Sequence, residues 1–157
     1  METIKTQGIA MPKIGLGPFR LQGEACRAAV ESALALGYRH IDTAEMYGNE
    51  EAIGAAIASA GVPRADLHVT TKVWHENLAP SAIRKAFDAS LKKLRLDHVD
   101  LYLIHWPSPG MKLPPALGTL GKLEEEGRTR ALGVAHFTTD LPKQASEGGE
   151  APVARNP

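Results

Sequence analysis

The chain has 157 residues, long enough for one domain with a real core. Its 18 basic side chains match 18 acidic ones, a balance that builds no field for nucleic acid or a membrane surface. No stretch approaches the ~20 apolar residues of a membrane helix, residues 1–5 lack the apolar segment of a signal peptide, and the single Cys26 excludes an internal disulfide framework and points to the cytoplasm.

Residues 3–6 and 9–11 flank Gln7-Gly8 and predict a short hairpin. Residues 13–17 follow as a first buried strand. An alanine- and leucine-rich helix is expected over 24–36, with Gly37 at its C′ position. Residues 39–42 make the second strand. Asn49 is a good N-cap residue, Glu50 and Glu51 complement the dipole, and that helix runs to Ala60 before Gly61 and Pro63 close it. Residues 67–72 form the third strand. Ile83, Ala86, Phe87, Ser90, Leu91 and Leu94 recur at helical spacing. Residues 99–104 are apolar enough for a strand covered on both faces. A helix over 115–126, a fifth strand over 131–134 and a short helix over 139–145, with Pro142 in its first turn, complete the alternation. The order predicts an α/β fold with parallel strands and right-handed crossovers. Residues 146–157 carry glycine, proline and no apolar period, and are expected to be loosely ordered.

Four polar residues fall where these strands would end: Asp42, Tyr47, Lys72 and His105. A parallel sheet gathers the carboxyl ends of its strands along one rim, where ligands bind. A carboxylate, a phenol, an amine and an imidazole meeting there can protonate a carbonyl oxygen as it gains charge. Singly, each has a plainer reading. Asp42 could cap a turn, Tyr47 could be packing, Lys72 a solvated charge and His105 a structural histidine. His40, His68, His75 and His98 are read as structural, and Cys26 as packing on the first helix. Residues 15–20 begin like a dinucleotide fingerprint, but Arg20 stands where the third glycine belongs. No zinc-ligand spacing is present.

The run Gly37-Tyr38-Arg39-His40-Ile41-Asp42-Thr43-Ala44-Glu45-Met46-Tyr47-Gly48-Asn49-Glu50 resembles the first signature of the aldo/keto reductases. Thr71-Lys72-Val73-Trp74 resembles the segment carrying that family's lysine, Leu101-Tyr102-Leu103-Ile104-His105-Trp106-Pro107 its histidine strand, and Arg130-Ala131-Leu132-Gly133-Val134 its fifth strand. The bacterial 2,5-diketo-D-gluconic acid reductases are the most similar group. The resemblance implies a (β/α)8 barrel of TIM type. About five of its eight βα units are present here, over residues 1–145, with a short N-terminal β-hairpin. It also implies NADPH as cofactor, bound without a Rossmann domain, and a small-molecule carbonyl as substrate.

Carried over by position, Tyr47 is the general acid, Lys72 lowers its pKa, Asp42 holds Lys72, and His105 orients the carbonyl. Trp74 and Trp106 line the substrate pocket. Gly17, Pro18, Asp42 and His136 fall on the cofactor side. The pattern departs where Ala135-His136-Phe137 replaces Ser-Asn-Phe: Ala135 cannot bond the nicotinamide amide, whereas His136 keeps a ring nitrogen able to donate. Pro18 replaces a common threonine. A complete barrel takes ~250 residues and eight strands, and five strands leave two open edges that favour self-association. Two readings follow: an NADPH-dependent reductase of small aldehydes or ketones, or a non-catalytic remnant or interaction fragment that keeps the four residues without holding cofactor.

Overall fold

The computed structural model describes residues 2–136 together with the backbone of Ala154–Arg155. Strands β1 (Thr3–Thr6) and β2 (Ile9–Pro12) pair antiparallel, with Thr6 opposite Ile9. Gln7 and Gly8 between them both take positive φ, 46° and 77°, as a two-residue hairpin loop of matching twist requires.

Helices and parallel strands then alternate. Helix α1 (Gly23–Ala35) precedes β3 (His40–Asp42), α2 (Glu50–Ser59) precedes β4 (His68–Val73), α3 (Pro80–Leu94) precedes β5 (Leu101–Ile104), and α4 (Leu113–Glu125) precedes β6 (Leu132–Val134). A two-residue strand β7 (Ala154–Arg155) lies beside β6. The sheet order is β3-β4-β5-β6-β7, parallel throughout. Sequential neighbours joined by helices are the signature of a barrel rather than a doubly wound sheet, whose strand order reverses.

Side-chain alternation separates two faces of the sheet. Ile41, Val69, Val73, Tyr102, Ile104, Leu132 and Val134 pack in one cluster with the helices. Leu101, Leu103, Ala131 and Ala135 form a second cluster, on which Ile9 and Met11 of the hairpin rest. Gln7 adds a polar clasp: its amide accepts from the Leu132 N–H at 3.2 Å and donates to the Leu132 carbonyl at 3.1 Å, as one residue of a neighbouring strand would.

The buried stripe of α3 is Ile83, Ala86, Phe87, Ser90, Leu91 and Leu94, as its helical spacing predicts. Gly54 lets α2 lie directly on the end of α3. A Cβ there would sit 2.4 Å from the Lys93 carbonyl oxygen, so no other residue fits without movement. At the amino-terminal end of the sheet, the buried Asp100 carboxylate accepts from Arg64 at 2.7 Å and the Val69 N–H at 2.9 Å and forms an ion pair with Arg130 at 3.1 Å. Among the described residues no helix is long and apolar enough to cross a membrane.

Several expectations are corrected. Residues 13–17 form no strand. Only Leu16 bridges to β3, its N–H donating to the His40 carbonyl and its own carbonyl accepting from the Asp42 N–H. Gly15 and Gly17 on either side offer no side chain to pack, and among the described residues nothing pairs with the opposite edge. Asn49 holds the N-cap position of α2 but does not cap it with its side chain. The side-chain amide instead donates to the Pro18 carbonyl at 2.9 Å and accepts from the Thr43 hydroxyl at 2.7 Å. Helix α4 starts at Leu113, so Pro114 and Pro115 both occupy its first turn, where a missing N–H costs nothing. The two-residue strand β7 falls within residues 146–157, expected to be loosely ordered. The expected helix over 139–145 lies outside the described residues.

Candidate functional site

Parallel register explains why Asp42 and Lys72 meet. Asp42 pairs with Thr70, and Lys72 stands two residues further along β4, on the same face. The Lys72 ammonium, buried at 3% exposure, donates to the Asp42 carboxylate and, at 2.9 Å, to the Thr43 carbonyl. Lysine has three protons to give, so one remains. Tyr47 sits on a single 3-10 turn, Glu45–Tyr47, which Gly48 ends at φ 67°. The Lys72 nitrogen lies 5.4 Å from the Tyr47 ring centroid.

His105 follows β5, its N–H bonded to the Val73 carbonyl at 3.0 Å. Its ring lies 5.5 Å from that of Tyr47, 5.5 Å from that of Trp74 and 5.6 Å from that of His136. Trp106 is 42% exposed and stacks flat on His136. The structure therefore brings Asp42, Tyr47, Lys72, His105, Trp74, Trp106 and His136 to one rim. Gly17 and Pro18 join them through the loop beside β3. A Cβ on Gly17 would come 3.9 Å from the Asp42 carbonyl, and Pro18 is tied to Asn49.

Burial sets the protonation states. His105 is pushed down to about 4, first by desolvation and then by the nearby Lys72 charge, so it is neutral at pH 7 and keeps one N–H to donate. Its Nδ1 is buried with no partner among the described residues. The Tyr47 phenol is raised above its ordinary value, by burial first and by the Asp42 charge second. In the resting site these two outweigh the lowering expected of Lys72, whose ammonium is already paired with Asp42. Tyr47 is accordingly held protonated at neutral pH, as a proton donor must be.

His136 is also corrected. Its Nδ1 lies 3.1 Å from the His105 carbonyl, an acceptor, so Nδ1 carries the hydrogen. In the neutral ring Nε2 is then a lone pair, and it accepts rather than donates. His40 and His68 are structural, as expected, packed edge to face at 4.6 Å. His75 tilts over Trp74, with ring centroids 4.3 Å apart, on the rim.

Two rim residues escape a sequence reading. The Glu45 carboxylate accepts from the Trp74 N–H at 2.9 Å and the Asn77 amide at 2.6 Å, clamping the tyrosine turn to the loop after β4. No local signal marks it, because its partners lie about thirty residues away. Phe19 lies 4.8 Å from the Tyr47 ring and is 50% exposed. Its only local signal is an apolar side chain straight after Gly17-Pro18.

Known proteins share this fold. A model of the aldo/keto reductase family matches residues 13–156. The methylglyoxal reductase DkgB of Salmonella typhi is 47% identical over 139 residues, 87% of this chain and 52% of the relative. A solved structure provisionally described as a 2,5-diketo-D-gluconic acid reductase B superposes with a TM-score of 0.93 at 40% identity, over 98% of this chain and 55% of that one. A Bombyx mori aldo-keto reductase solved in complex with NADP gives 0.88 at 32% identity, over 99% and 56%. The chain spans about half the length of the curated relatives it matches.

Proposed function

We propose, from the premise that the chain belongs to the aldo/keto reductase family, that it reduces small aldehydes or ketones to alcohols with NADPH in the cytoplasm. One observation carries this reading: a neutral imidazole, a protonated phenol and a carboxylate-held ammonium share one open rim. The residues fit the nicotinamide end of the cofactor. His136 offers a ring nitrogen unpartnered among the described residues, and Gly17 presents no side chain beside the Asp42 carbonyl. NADPH, when bound, supplies the hydride that reaches the carbonyl carbon.

The chain's own residues do the rest. His105 donates its N–H to the carbonyl oxygen and orients it. As that oxygen gains alkoxide character it becomes a far stronger base than a phenolate, so Tyr47 gives up its proton even with a raised pKa. The phenolate left behind lies near the Lys72 ammonium, which is 5.4 Å from the Tyr47 ring centroid and now has an anion to stabilise. Asp42 keeps Lys72 in place through the cycle. Trp74 and Trp106 bound the space for the carbonyl's substituent. Methylglyoxal, the substrate named for the Salmonella relative, is the first to try.

The test is loss of NADPH absorbance with methylglyoxal, alongside quenching of tryptophan emission by NADPH alone. Turnover with saturable quenching supports the reading. Tyr47→Phe should lower kcat by about 10²–10⁴ while quenching persists. A folded chain showing neither quenching nor turnover would favour the non-catalytic alternative, and full turnover in Tyr47→Phe would remove Tyr47 from the mechanism.

A further inference from the structure

The His136 ring lies against the Trp106 indole at 4.0 Å between centroids and 6° between planes. The other stacked or tilted ring pairs at this rim meet at 47° or more. His136 itself is fixed at two points. Its Nδ1 donates to the His105 carbonyl, and its backbone takes φ 59°, a left-handed conformation uncommon outside glycine. That backbone turn directs the ring back across the end of β5, onto the residue next to His105. Trp106 has one face covered by His136 and remains 42% exposed. A large exposed indole held by one flat partner, itself anchored to the histidine that orients the carbonyl, is a wall with a defined position.

We propose that His136 is a positioning residue that holds Trp106 as one wall of the carbonyl pocket and so sets the size of substituent the site accepts. This rests on the reductase reading above. Losing the stack frees the indole to swing, which relaxes selection for small carbonyls. A simple loss of cofactor contact would behave differently, lowering kcat/KM for small and bulky substrates alike.

The experiment has two arms. In a Trp74→Phe background Trp106 is the only tryptophan, since the sequence holds two. There, His136→Ala should shift Trp106 emission to the red and lower its anisotropy, and His136→Phe, which restores a flat ring, should recover both. In the otherwise native chain, the kcat/KM ratio of methylglyoxal to benzaldehyde should fall about two- to tenfold in His136→Ala and return in His136→Phe. Unchanged emission in His136→Ala, or an unchanged ratio, would overturn the proposal. The emission arm needs no turnover. Were the native chain unable to reduce any carbonyl, the reductase reading and the size filter would fall together, while emission would still decide whether His136 holds the indole.

Discussion

Two buried ion pairs lie at opposite ends of the same sheet, and they are built to different standards. At the amino-terminal end Asp100 is enclosed by protein partners: Oδ2 accepts from Arg64 and the Val69 N–H, and Oδ1 is ion-paired with Arg130. Arg64 also donates to the Leu67 and His98 carbonyls, locking three chain segments together. At the carboxyl-terminal rim Lys72 directs only two of three protons to Asp42 and Thr43, His105 keeps an unpartnered Nδ1, and Tyr47 and Trp106 reach solvent. A pair that ties several chain segments together holds the scaffold, even with the Arg64 Nε left unpartnered among the described residues. A pair with bonding capacity left over can meet a reacting atom.

Breaking the amino-terminal end should therefore cost stability rather than chemistry. Asp100→Ala leaves two guanidinium groups facing a lost partner, one of them mostly buried, and should destabilise the fold by about 3–5 kcal/mol in urea titrations. The turnover of whatever remains folded should be unaltered. A loss under 1 kcal/mol would mean that the network is not the fold's anchor.

Acid should act at both ends through histidine. His68 is depressed to about 4, chiefly by burial, against an unfolded value of 6.5. The unfolded chain then binds more protons than the folded one between those values. The contribution of a neutral His68 is complete above pH 6.5 and is lost as pH falls toward 4, by about 3 kcal/mol. The buried His105 adds a loss of the same sign over the same window. Urea midpoints measured at pH 7, 5.5 and 4 should fall in that order, and His68→Phe should flatten the fall. A flat native profile would place both rings in contact with water.

A smaller effect is expected where no charge is involved. Gly54→Ala should destabilise by about 1–3 kcal/mol, because its methyl meets backbone rather than a movable side chain. Thermal unfolding checks this, and an unchanged Tm would show that α2 and α3 can slide apart.

What could be read in the sequence, and what could not, divides along physical lines. The α3 stripe and the apolar run of β5 were legible, because buried faces impose a period. Asp42, Lys72 and His105 were legible because each stands at or near the end of a strand, while Tyr47, on the turn after β3, was placed by the family resemblance, which assigned all four roles. The strand expected over residues 13–17 failed, because an apolar residue between glycines makes a bridge without the neighbours a strand needs. The Asn49 amide failed as a cap because a long-range partner, the loop at Pro18, competes for it. The direction of the Tyr47 shift was hidden for the same reason. Spacing places Lys72 near the phenol but says nothing of how fully Asp42 offsets its charge, or how far burial outweighs both. Glu45 and the His136–Trp106 stack depend on contacts between loops, where no periodicity exists to read.

The central claim is that Tyr47 and Lys72 act as one unit on a single oxygen, and a double-mutant cycle on kcat/KM for methylglyoxal tests it most directly. Tyr47→Phe and Lys72→Met should each lower the value by about 10²–10⁴. The double variant should lie no lower than the worse single one, because a proton donor and the cation that stabilises its conjugate base fail together. Losses that multiply, each change acting in full on top of the other, would contradict the account.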